Sequence, residues 1–146
     1  MSEPAQKLQT ILIVDDEPSI RLLFRSALQS LPARILEADN GLEAMSLIEQ
    51  EKPALVVTDY AMPDWDGLEV CHQIRKRPDL QHIKIVLITG QATPPFLLEA
   101  VNFGVVNAAL AKPVNINELQ QLASASWLAI AHSPRLSGHE GGWLWQ

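Results

Sequence analysis

The sequence predicts an α/β domain in which a parallel sheet is covered by helices on both faces. Five apolar runs of strand length alternate with longer segments whose apolar residues recur at helical spacing. Strict alternation of this kind is typical of parallel sheets, whose buried strands are continuously hydrophobic. The 146 residues, 47% hydrophobic and 19% charged, fit one domain of ordinary size. The alternation of strands and helices, the composition of the strands and the length of the chain therefore all support a single α/β domain.

The first strand is predicted over residues 11–14, a short β-branched run typical of a strand buried on both faces. The run stops at Asp15-Asp16-Glu17. Pro18 suits the first turn of the next helix, because an N–H at that position would have no helical partner. Apolar residues at helical spacing mark the buried face of this helix: Ile20, Leu23, Phe24, Ala27, Leu28 and Leu31.

The second and third strands are predicted over Ala33–Glu37 and Leu55–Asp59. Between them, Asn40 and Glu43 have the spacing of an N-cap and its N3 partner, so a second helix begins at this point. Pro53 ends that segment. The third strand ends at the carboxylate of Asp59, and the first strand is likewise followed by a carboxylate, that of Asp15.

The turn over Met62–Gly67 leads into the third helix. We interpret Asp64 and Asp66 as turn and cap residues, since aspartate favours both positions. We interpret Gly67 as a source of backbone freedom near the tight turn. The fourth strand is predicted over Ile83–Ile88.

The run Thr93-Pro94-Pro95 is interpreted as the cap and first turn of a fourth helix, which Gly104 closes. The apolar positions of this helix are Leu97, Leu98, Val101 and Phe103. The fifth strand is predicted over Val105–Leu110, and Asn115–Glu118 is a second cap with an acid at N3. It opens a last helix that runs to about Ala131.

Polar residues follow four of the predicted strands directly, at the sheet edge where ligands bind in open α/β folds. They are Asp15-Asp16-Glu17, Asp59, Thr89-Gly90 and Lys112-Pro113. Asp15, Asp16 and Asp59 would converge at this edge. Three carboxylates so close repel one another unless a cation lies among them, and Mg²⁺ prefers such oxygen ligands. Lys112 adds a cation suited to a phosphate oxygen and Thr89 adds a hydroxyl donor. The set suits phosphoryl transfer to a carboxylate.

Four stretches at these strand ends resemble the receiver domain of two-component response regulators, in particular single-domain regulators of the chemotaxis type. They are Ile-Val-Asp-Asp-Glu (13–17), Asp-Tyr-Ala-Met-Pro-Asp-Trp-Asp-Gly (59–67), Leu-Ile-Thr-Gly (87–90) and Ala-Lys-Pro (111–113). The resemblance extends from about Gln9 to about Ala131. It implies a doubly wound, flavodoxin-like fold with five strands in the order 2-1-3-4-5 and five helices.

The resemblance also implies a role for each acidic residue of the site. Asp59 would be the phosphoacceptor, supplied by a sensor histidine kinase or a phosphotransfer protein. Asp16 and Asp59 would ligate Mg²⁺ directly, together with the backbone carbonyl of Ala61. Asp15 would act through a metal-bound water.

The residues after the fourth and fifth strands would carry the response to phosphorylation. By resemblance, Thr89 and Lys112 would contact the phosphoryl group, and the bond before Pro113 would be cis. The family usually has an aromatic switch residue in the fifth strand, but Ala109 occupies that position here. The usual rotation of an aromatic ring is therefore absent, and the route of signal output is expected to differ.

The composition excludes several function classes. Lys and Arg number 11 against 17 Asp and Glu, a formal net charge of −6. The chain thus lacks the cationic excess for direct binding to nucleic acids or anionic membranes. No apolar run approaches the roughly 20 residues of a membrane span, and no signal peptide is visible, so we expect a cytoplasmic protein. Cys71 is the single cysteine, which precludes an intramolecular disulfide.

The expected division of the chain is an N-terminal extension (1–8), the receiver domain (9–131) and a flexible tail (132–146) that carries Trp143 and Trp145. The tail is too short for a DNA-binding domain, so the effector is expected on a separate chain. An alternative for the tail is a peptide that docks through its tryptophans.

These observations favour a phosphorylation-activated response regulator that signals by protein–protein contact. It would not be an enzyme beyond catalysing its own phosphorylation and dephosphorylation, and a phosphorylation-dependent homodimer is one possible output. The alternative is a receiver-like scaffold that binds partners without phosphotransfer, which the missing aromatic favours. A phosphatase with an aspartyl nucleophile is less well supported, because no catalytic acid or substrate cap can be placed.

Overall fold

The computed structural model describes residues 8–90 and 95–132, with side chains described as far as Trp127. Five strands alternate with five α-helices in this part of the chain. The strands are β1 (Gln9–Val14), β2 (Ala33–Ala38), β3 (Leu55–Asp59), β4 (Lys84–Thr89) and β5 (Ala108–Ala111). The helices are α1 (Pro18–Leu28), α2 (Gly41–Glu51), α3 (Gly67–Arg75), α4 (Pro95–Asn102) and α5 (Ile116–His132), with a short 3₁₀ helix at Pro78–Leu80.

The strands form one parallel sheet in the order β2-β1-β3-β4-β5, which confirms the predicted doubly wound fold. β1 pairs with β3, and Val14 lies opposite Thr58 at the carboxyl end of the pair. Because β2 lies on the outer side of β1, the winding reverses between β1 and β3. Asp15, directly after β1, and Asp59, at the end of β3, therefore belong to the switch point of the sheet.

The core consists of two hydrophobic clusters, one on each face of the sheet. Leu12 and Val14 of β1 enter the cluster covered by α2, α3 and α4, whereas Ile11 and Ile13 enter the cluster covered by α1 and α5. Burial on both faces accounts for the continuous apolar run in this strand. Cys71 is a buried member of the first cluster, as expected for a core residue on the third helix.

Three helices begin at a polar cap whose side-chain oxygen accepts the backbone N–H three residues later. The pairs are Glu43 to Asn40 at 2.8 Å, Glu69 to Asp66 at 2.8 Å and Glu118 to Asn115 at 3.1 Å. These contacts confirm the predicted caps. Asp64, in the turn before α3, has a φ of 65°, a conformation that aspartate adopts more readily than most residues.

β5 is shorter than predicted, because the chain first wraps the end of α4. The N–H groups of Gly104 and Val105 donate to the carbonyls of Val101 (3.1 Å) and Ala100 (2.8 Å), and Gly104 has a φ of 80°. This pattern is a Schellman cap, which satisfies helix-end carbonyls. Gly104 thus closes the helix as predicted. The predicted cap residue of this helix, Thr93, lies outside the described residues.

Three apolar residues of the predicted helical patterns are exposed rather than buried. Leu23 is 43% exposed, Leu98 is 55% exposed and Phe103 is 81% exposed. The predicted extension and tail, with Trp143 and Trp145, lie outside the described residues except at their inner ends. No helix within residues 8–90 and 95–132 has the length and hydrophobicity to cross a membrane.

Candidate functional site

The first wall of the site is the loop that follows β1. Asp15 is fully buried, whereas Asp16 and Glu17 are exposed. The Asp15 N–H donates to the Ala38 carbonyl of β2 at 3.1 Å, and its Oδ1 accepts the Glu17 N–H at 2.9 Å. Its Oδ2 is buried and has no hydrogen-bond partner within the described ranges. A buried carboxylate oxygen without a donor is costly, and a bound cation would relieve that cost.

The second wall joins the ends of β3 and β5. Asp59 is the last residue of β3 and is 3% exposed. Its Oδ1 lies 3.2 Å from Nζ of Lys112, which directly follows β5. The Lys112 N–H donates to the carbonyl of Thr89 at 2.9 Å, so the ends of β4 and β5 are tied together. The structure therefore brings Asp59 and Lys112 into direct contact and links Thr89 to them through the backbone.

Two other predicted residues lie beside this contact. The Lys112–Pro113 peptide bond is cis, as the resemblance implied. The Thr89 hydroxyl is buried and donates to the Gly90 carbonyl at 3.1 Å. Its present partner is thus the backbone, and a contact with a phosphoryl group requires the hydroxyl to leave that carbonyl.

Ala61 and Ala109 occupy the two remaining predicted positions. Ala61 is exposed, two residues after Asp59. Ala109 is half-buried in β5 and pairs with Leu87 of β4. An aromatic contact does occur on the other side of the site, where the rings of Tyr60 and Phe96 pack with centroids 5.8 Å apart. It connects the residue after Asp59 to α4.

Gly67 is required for a reason that differs from the predicted backbone freedom. A Cβ at this position would lie 2.2 Å from the Asp59 carbonyl oxygen and 2.9 Å from Cδ1 of Leu87. Its N–H donates to the Tyr60 carbonyl at 2.8 Å. The start of α3 therefore packs directly against the end of β3, and only glycine allows this approach.

Three carboxylates in the first wall are close enough to share one ion. Asp15, Asp16 and Glu17 each offer an oxygen, and these oxygens all lie within 4.8 Å of one another. Asp59 is not a member of this group. Its Oδ1 is instead in contact with Lys112. Glu17 is the N-cap residue of α1 but makes no side-chain cap hydrogen bond, so its carboxylate remains with the cluster.

The sequence matches one protein-family model, that of the response regulator receiver domain, over residues 11–124. The chain belongs to the response regulator receiver domain family. An uncharacterized 14.6 kDa protein of Leptolyngbya boryana is 38% identical over 119 residues, which are 82% of this chain and 90% of that protein. Chemotaxis protein CheY-3 of Vibrio cholerae is 33% identical over 116 residues, 79% of this chain and 88% of that protein.

Other relatives show the same domain as part of longer proteins. The receiver domain spans 8%, 33% and 45% of the length of three further curated relatives. Among solved structures, the signal receiver domain of an HD domain-containing protein from Pseudomonas fluorescens has a TM-score of 0.76 at 22% identity, with 92% of this chain and 98% of that chain covered. At this identity the likeness supports the fold alone.

Burial is the largest influence on the pKa values of the two buried acids, Asp15 and Asp59. It raises the pKa of Asp15 to about 6, and the neighbouring Asp59 charge adds to this shift while the Glu17 N–H opposes it. Burial also raises the pKa of Asp59 above its usual value, although the hydrogen bond from Lys112 lowers it in part. The acids thus carry their negative charge at a cost, and a hard divalent cation at their oxygens would offset that cost.

Sequence reasoning missed Arg21, which lies in the first turn of α1. Its Nη1 donates to the backbone carbonyl of Asp15 at 2.7 Å, and its Nε donates to Oε1 of Glu37 in β2 at 2.9 Å. An arginine near a helix start has no sequence pattern that separates it from a solvated surface cation. Its three-residue spacing from Pro18 is the one available signal, and that signal is weak.

Proposed function

We propose that this receiver domain is a phosphorylation-activated response regulator. It accepts a phosphoryl group on Asp59 from a sensor histidine kinase or a phosphotransfer protein, and it signals to an effector by protein–protein contact. The observation that carries the proposal is the buried Asp59 carboxylate, paired with Lys112 at 3.2 Å beside the acidic loop of Asp15 and Asp16. A nucleophilic carboxylate, a lysine and a cation-seeking acid pair are the components of phosphoryl transfer to aspartate.

In the proposed transfer, one carboxylate oxygen of Asp59 attacks the phosphorus of a phosphohistidine. The new oxygen–phosphorus bond forms as the phosphorus–nitrogen bond breaks, and the donor nitrogen keeps the electron pair. The Lys112 ammonium, already at Asp59, pairs with a phosphoryl oxygen in the product. The Thr89 hydroxyl leaves the Gly90 carbonyl and donates to another phosphoryl oxygen.

The acidic loop fits Mg²⁺, because Asp15 has a buried oxygen without a hydrogen-bond partner among the described residues and the carboxylates of Asp16 and Glu17 lie close to its own. We propose that Asp16 and Asp59, with the Ala61 carbonyl, hold the ion directly and that Asp15 acts through its water shell. Glu17 lies with these acids and can contribute to the same shell. Bound Mg²⁺ supplies charge neutralisation for the transferring phosphoryl group.

The added phosphoryl charge would bias the loops that follow β4 and β5 between two arrangements. Thr89 and Lys112 lie at the starts of these loops, so both loops respond to the same group. A phosphorylation-dependent homodimer is one form that this output can take. The domain would act in the cytoplasm and catalyse only its own phosphorylation and dephosphorylation.

A scaffold that binds partners without phosphotransfer is the second candidate function. Ala109 favours it, since β5 lacks the aromatic ring through which the family usually reports phosphorylation. The contact between the buried Asp59 carboxylate and the half-buried Lys112 favours phosphotransfer instead. A pure scaffold has no need for a buried carboxylate paired with a lysine at this position.

Exposure to acetyl phosphate separates the two candidates. We expect the wild-type chain to gain one phosphoryl group in the presence of Mg²⁺, detected as a mass increase or as a retarded band on a phosphate-affinity gel. Chelation of Mg²⁺ should prevent the phosphoryl gain, and the Lys112→Ala substitution should greatly reduce it. No gain with acetyl phosphate or with any phosphohistidine donor would support the scaffold.

A further inference from the structure

Arg21 joins three parts of the fold at the edge of the acidic loop. From the first turn of α1 its guanidinium reaches the Asp15 carbonyl at 2.7 Å and the Glu37 carboxylate of β2 at 2.9 Å. The Arg21 side chain is only 17% exposed. The planar guanidinium donates in fixed directions, so two short bonds restrain both the side chain and its acceptors.

We propose that Arg21 is a positioning residue for the proposed Mg²⁺, acting through the loop that carries Asp15, Asp16 and Glu17. This inference rests on the proposed function, because it assigns a role toward the same ion. The carbonyl that Arg21 binds belongs to the peptide unit between Asp15 and Asp16. Since that unit is planar, a bond to its oxygen sets the direction in which the chain enters Asp16.

The other polar groups of Asp15 show how completely this loop is restrained. The Asp15 N–H is bonded to the Ala38 carbonyl, and Oδ1 accepts the Glu17 N–H. Arg21 holds the remaining backbone oxygen. Only Oδ2 has no partner within the described residues. The Asp15 carboxylate to which it belongs is a member of the cluster with Asp16 and Glu17. Loss of Arg21 would release one of the three restraints.

Positioning and simple electrostatics predict effects of opposite sign. A cationic guanidinium near the cluster repels Mg²⁺, so its removal would tighten Mg²⁺ binding if charge alone mattered. Removal would weaken binding if Arg21 instead keeps the ligands in place, since metal ligands depend on the groups that orient them. The direction of the change therefore distinguishes the two roles.

Arg25 provides a matched control. It lies one turn later in α1 and pairs with Oε2 of the same Glu37 at 2.7 Å. Its other bond, at 3.2 Å, goes to the Ile35 carbonyl within β2 and not to the acidic loop. Arg25→Ala removes a cation from the same ion-pair group but leaves the Asp15 carbonyl contact in place.

The test is a calorimetric titration of the metal-free full chain with Mg²⁺, alongside urea denaturation of each variant. We expect Arg21→Ala to weaken Mg²⁺ binding by about 10-fold, at the lower end of the range for groups that orient metal ligands. Arg25→Ala should leave the affinity within about twofold, as for a partly exposed ion pair. The Mg²⁺ affinity of Arg21→Lys should lie between those of the two alanine variants, because an ammonium keeps the positive charge but lacks the directed N–H donors of the guanidinium.

Unchanged or tighter Mg²⁺ binding by folded Arg21→Ala would overturn the inference, and so would equal losses in Arg21→Ala and Arg25→Ala. If Arg21→Ala does not fold, a weaker affinity for Arg21→Lys than for Arg25→Ala supports the inference, and equality overturns it. If the wild-type chain binds Mg²⁺ and gains a phosphoryl group, and Arg21→Ala binds Mg²⁺ with the same affinity, the inference about Arg21 is overturned but the proposed function is not. A wild-type chain that binds no Mg²⁺ overturns the proposed metal site as well.

Discussion

At Asp59, two neighbours act in opposite directions on a single carboxylate. Burial raises its pKa, and the hydrogen bond from Lys112 lowers it. The same contact acts on the lysine, since burial alone would lower the pKa of Lys112 but its bond to Asp59 raises it overall. Each group therefore keeps the other charged at a position where neither would be charged as easily alone.

Removing one partner should expose this dependence. We expect Lys112→Ala to lower the free energy of unfolding by about 1–3 kcal/mol near neutral pH, because Asp59 is left buried without its cation. Lys52→Ala is the control, since Lys52 pairs with Asp79 at 2.8 Å on the surface, with side chains 49% and 40% exposed. Its loss should cost less than about 1 kcal/mol in urea denaturation. Equal losses would contradict the buried-pair interpretation.

Asp15 should make the stability of the metal-free domain depend on pH. Its pKa is about 6 in the fold against a usual 3.8, so the fold favours the protonated form. The stability that this preference provides is present below about pH 4 and is lost as pH rises through 6. We expect Asp15→Asn to raise the free energy of unfolding by about 1–3 kcal/mol near pH 7 and by far less near pH 4.

Urea denaturation across this pH range in Mg²⁺-free buffer measures the difference. Asp64→Asn is the control, because Asp64 is exposed and asparagine also tolerates its positive φ. A stabilisation by Asp15→Asn that does not change with pH would show that its carboxyl is not the group responsible.

Single residues of the site differ in how well the sequence predicts them. The positions of Asp15, Asp59 and Lys112 can be predicted because each lies at the end of a predicted strand, and the carboxyl ends of parallel strands meet at one edge. The role of Arg21 cannot, because it depends on a contact across α1, β2 and a loop. Arg75 is similar: it is half-buried and donates to the backbone carbonyls of Val105 and Ile83, which no local pattern indicates.

At the scale of elements, the start of α3 and the end of β3 depend on each other through Gly67. We expect Gly67→Ala to destabilise the domain by about 2–4 kcal/mol, since its Cβ would lie 2.2 Å from the Asp59 carbonyl oxygen. Phosphoryl uptake should fall as well, because relief of the clash displaces the residue that carries the nucleophile. Chemical denaturation and uptake from acetyl phosphate measure the two effects.

Gly90→Ala is the matched control for this change. Gly90 also lies at the sheet edge, but a Cβ there would meet no atom of the described residues within 4 Å. Its unfolding free energy should stay within about 0.5 kcal/mol of wild type. Similar destabilisation by both alanines would mean that the close approach at Gly67 is not the cause.

Strands and helices were predicted best where burial fixes the pattern. β1 and β3 are buried on both faces and show it as continuous apolar runs. The predicted start of β5 is too early, because Val105 and Val106 are apolar yet belong to the cap of α4, where both donate to the Ala100 carbonyl. Phe103 is also apolar but exposed, since it lies just after the last residue of α4, and hydrophobicity alone does not reveal this.

At the scale of the whole molecule, part of the net charge of −6 is concentrated at one edge of the sheet. Binding of Mg²⁺ there should stabilise the complete fold, because a ligand that binds only the folded form raises its free energy of unfolding. We expect a gain of about 2.7 kcal/mol at a Mg²⁺ concentration 100 times its Kd. Thermal unfolding of wild type, Asp16→Asn and Asp64→Asn, with and without Mg²⁺, measures it.

Asp16→Asn should lose most of this stabilisation, and Asp64→Asn should keep it. Asp64 lies in an exposed turn outside the carboxylate cluster, so it controls for the removal of one negative charge. Equal Mg²⁺ responses in the two variants would show that the ion acts by general screening rather than at the acidic loop.

The position of the phosphoryl group tests the central claim most directly. An acyl phosphate on aspartate is reduced by borohydride to homoserine, which marks the modified residue permanently. After treatment with acetyl phosphate and Mg²⁺, peptide mass spectrometry should find homoserine at position 59 and unmodified aspartate at Asp15, Asp16, Asp64 and Asp66. Homoserine at another of these positions, or at none while a phosphoryl donor is present, would contradict Asp59 as the phosphoacceptor.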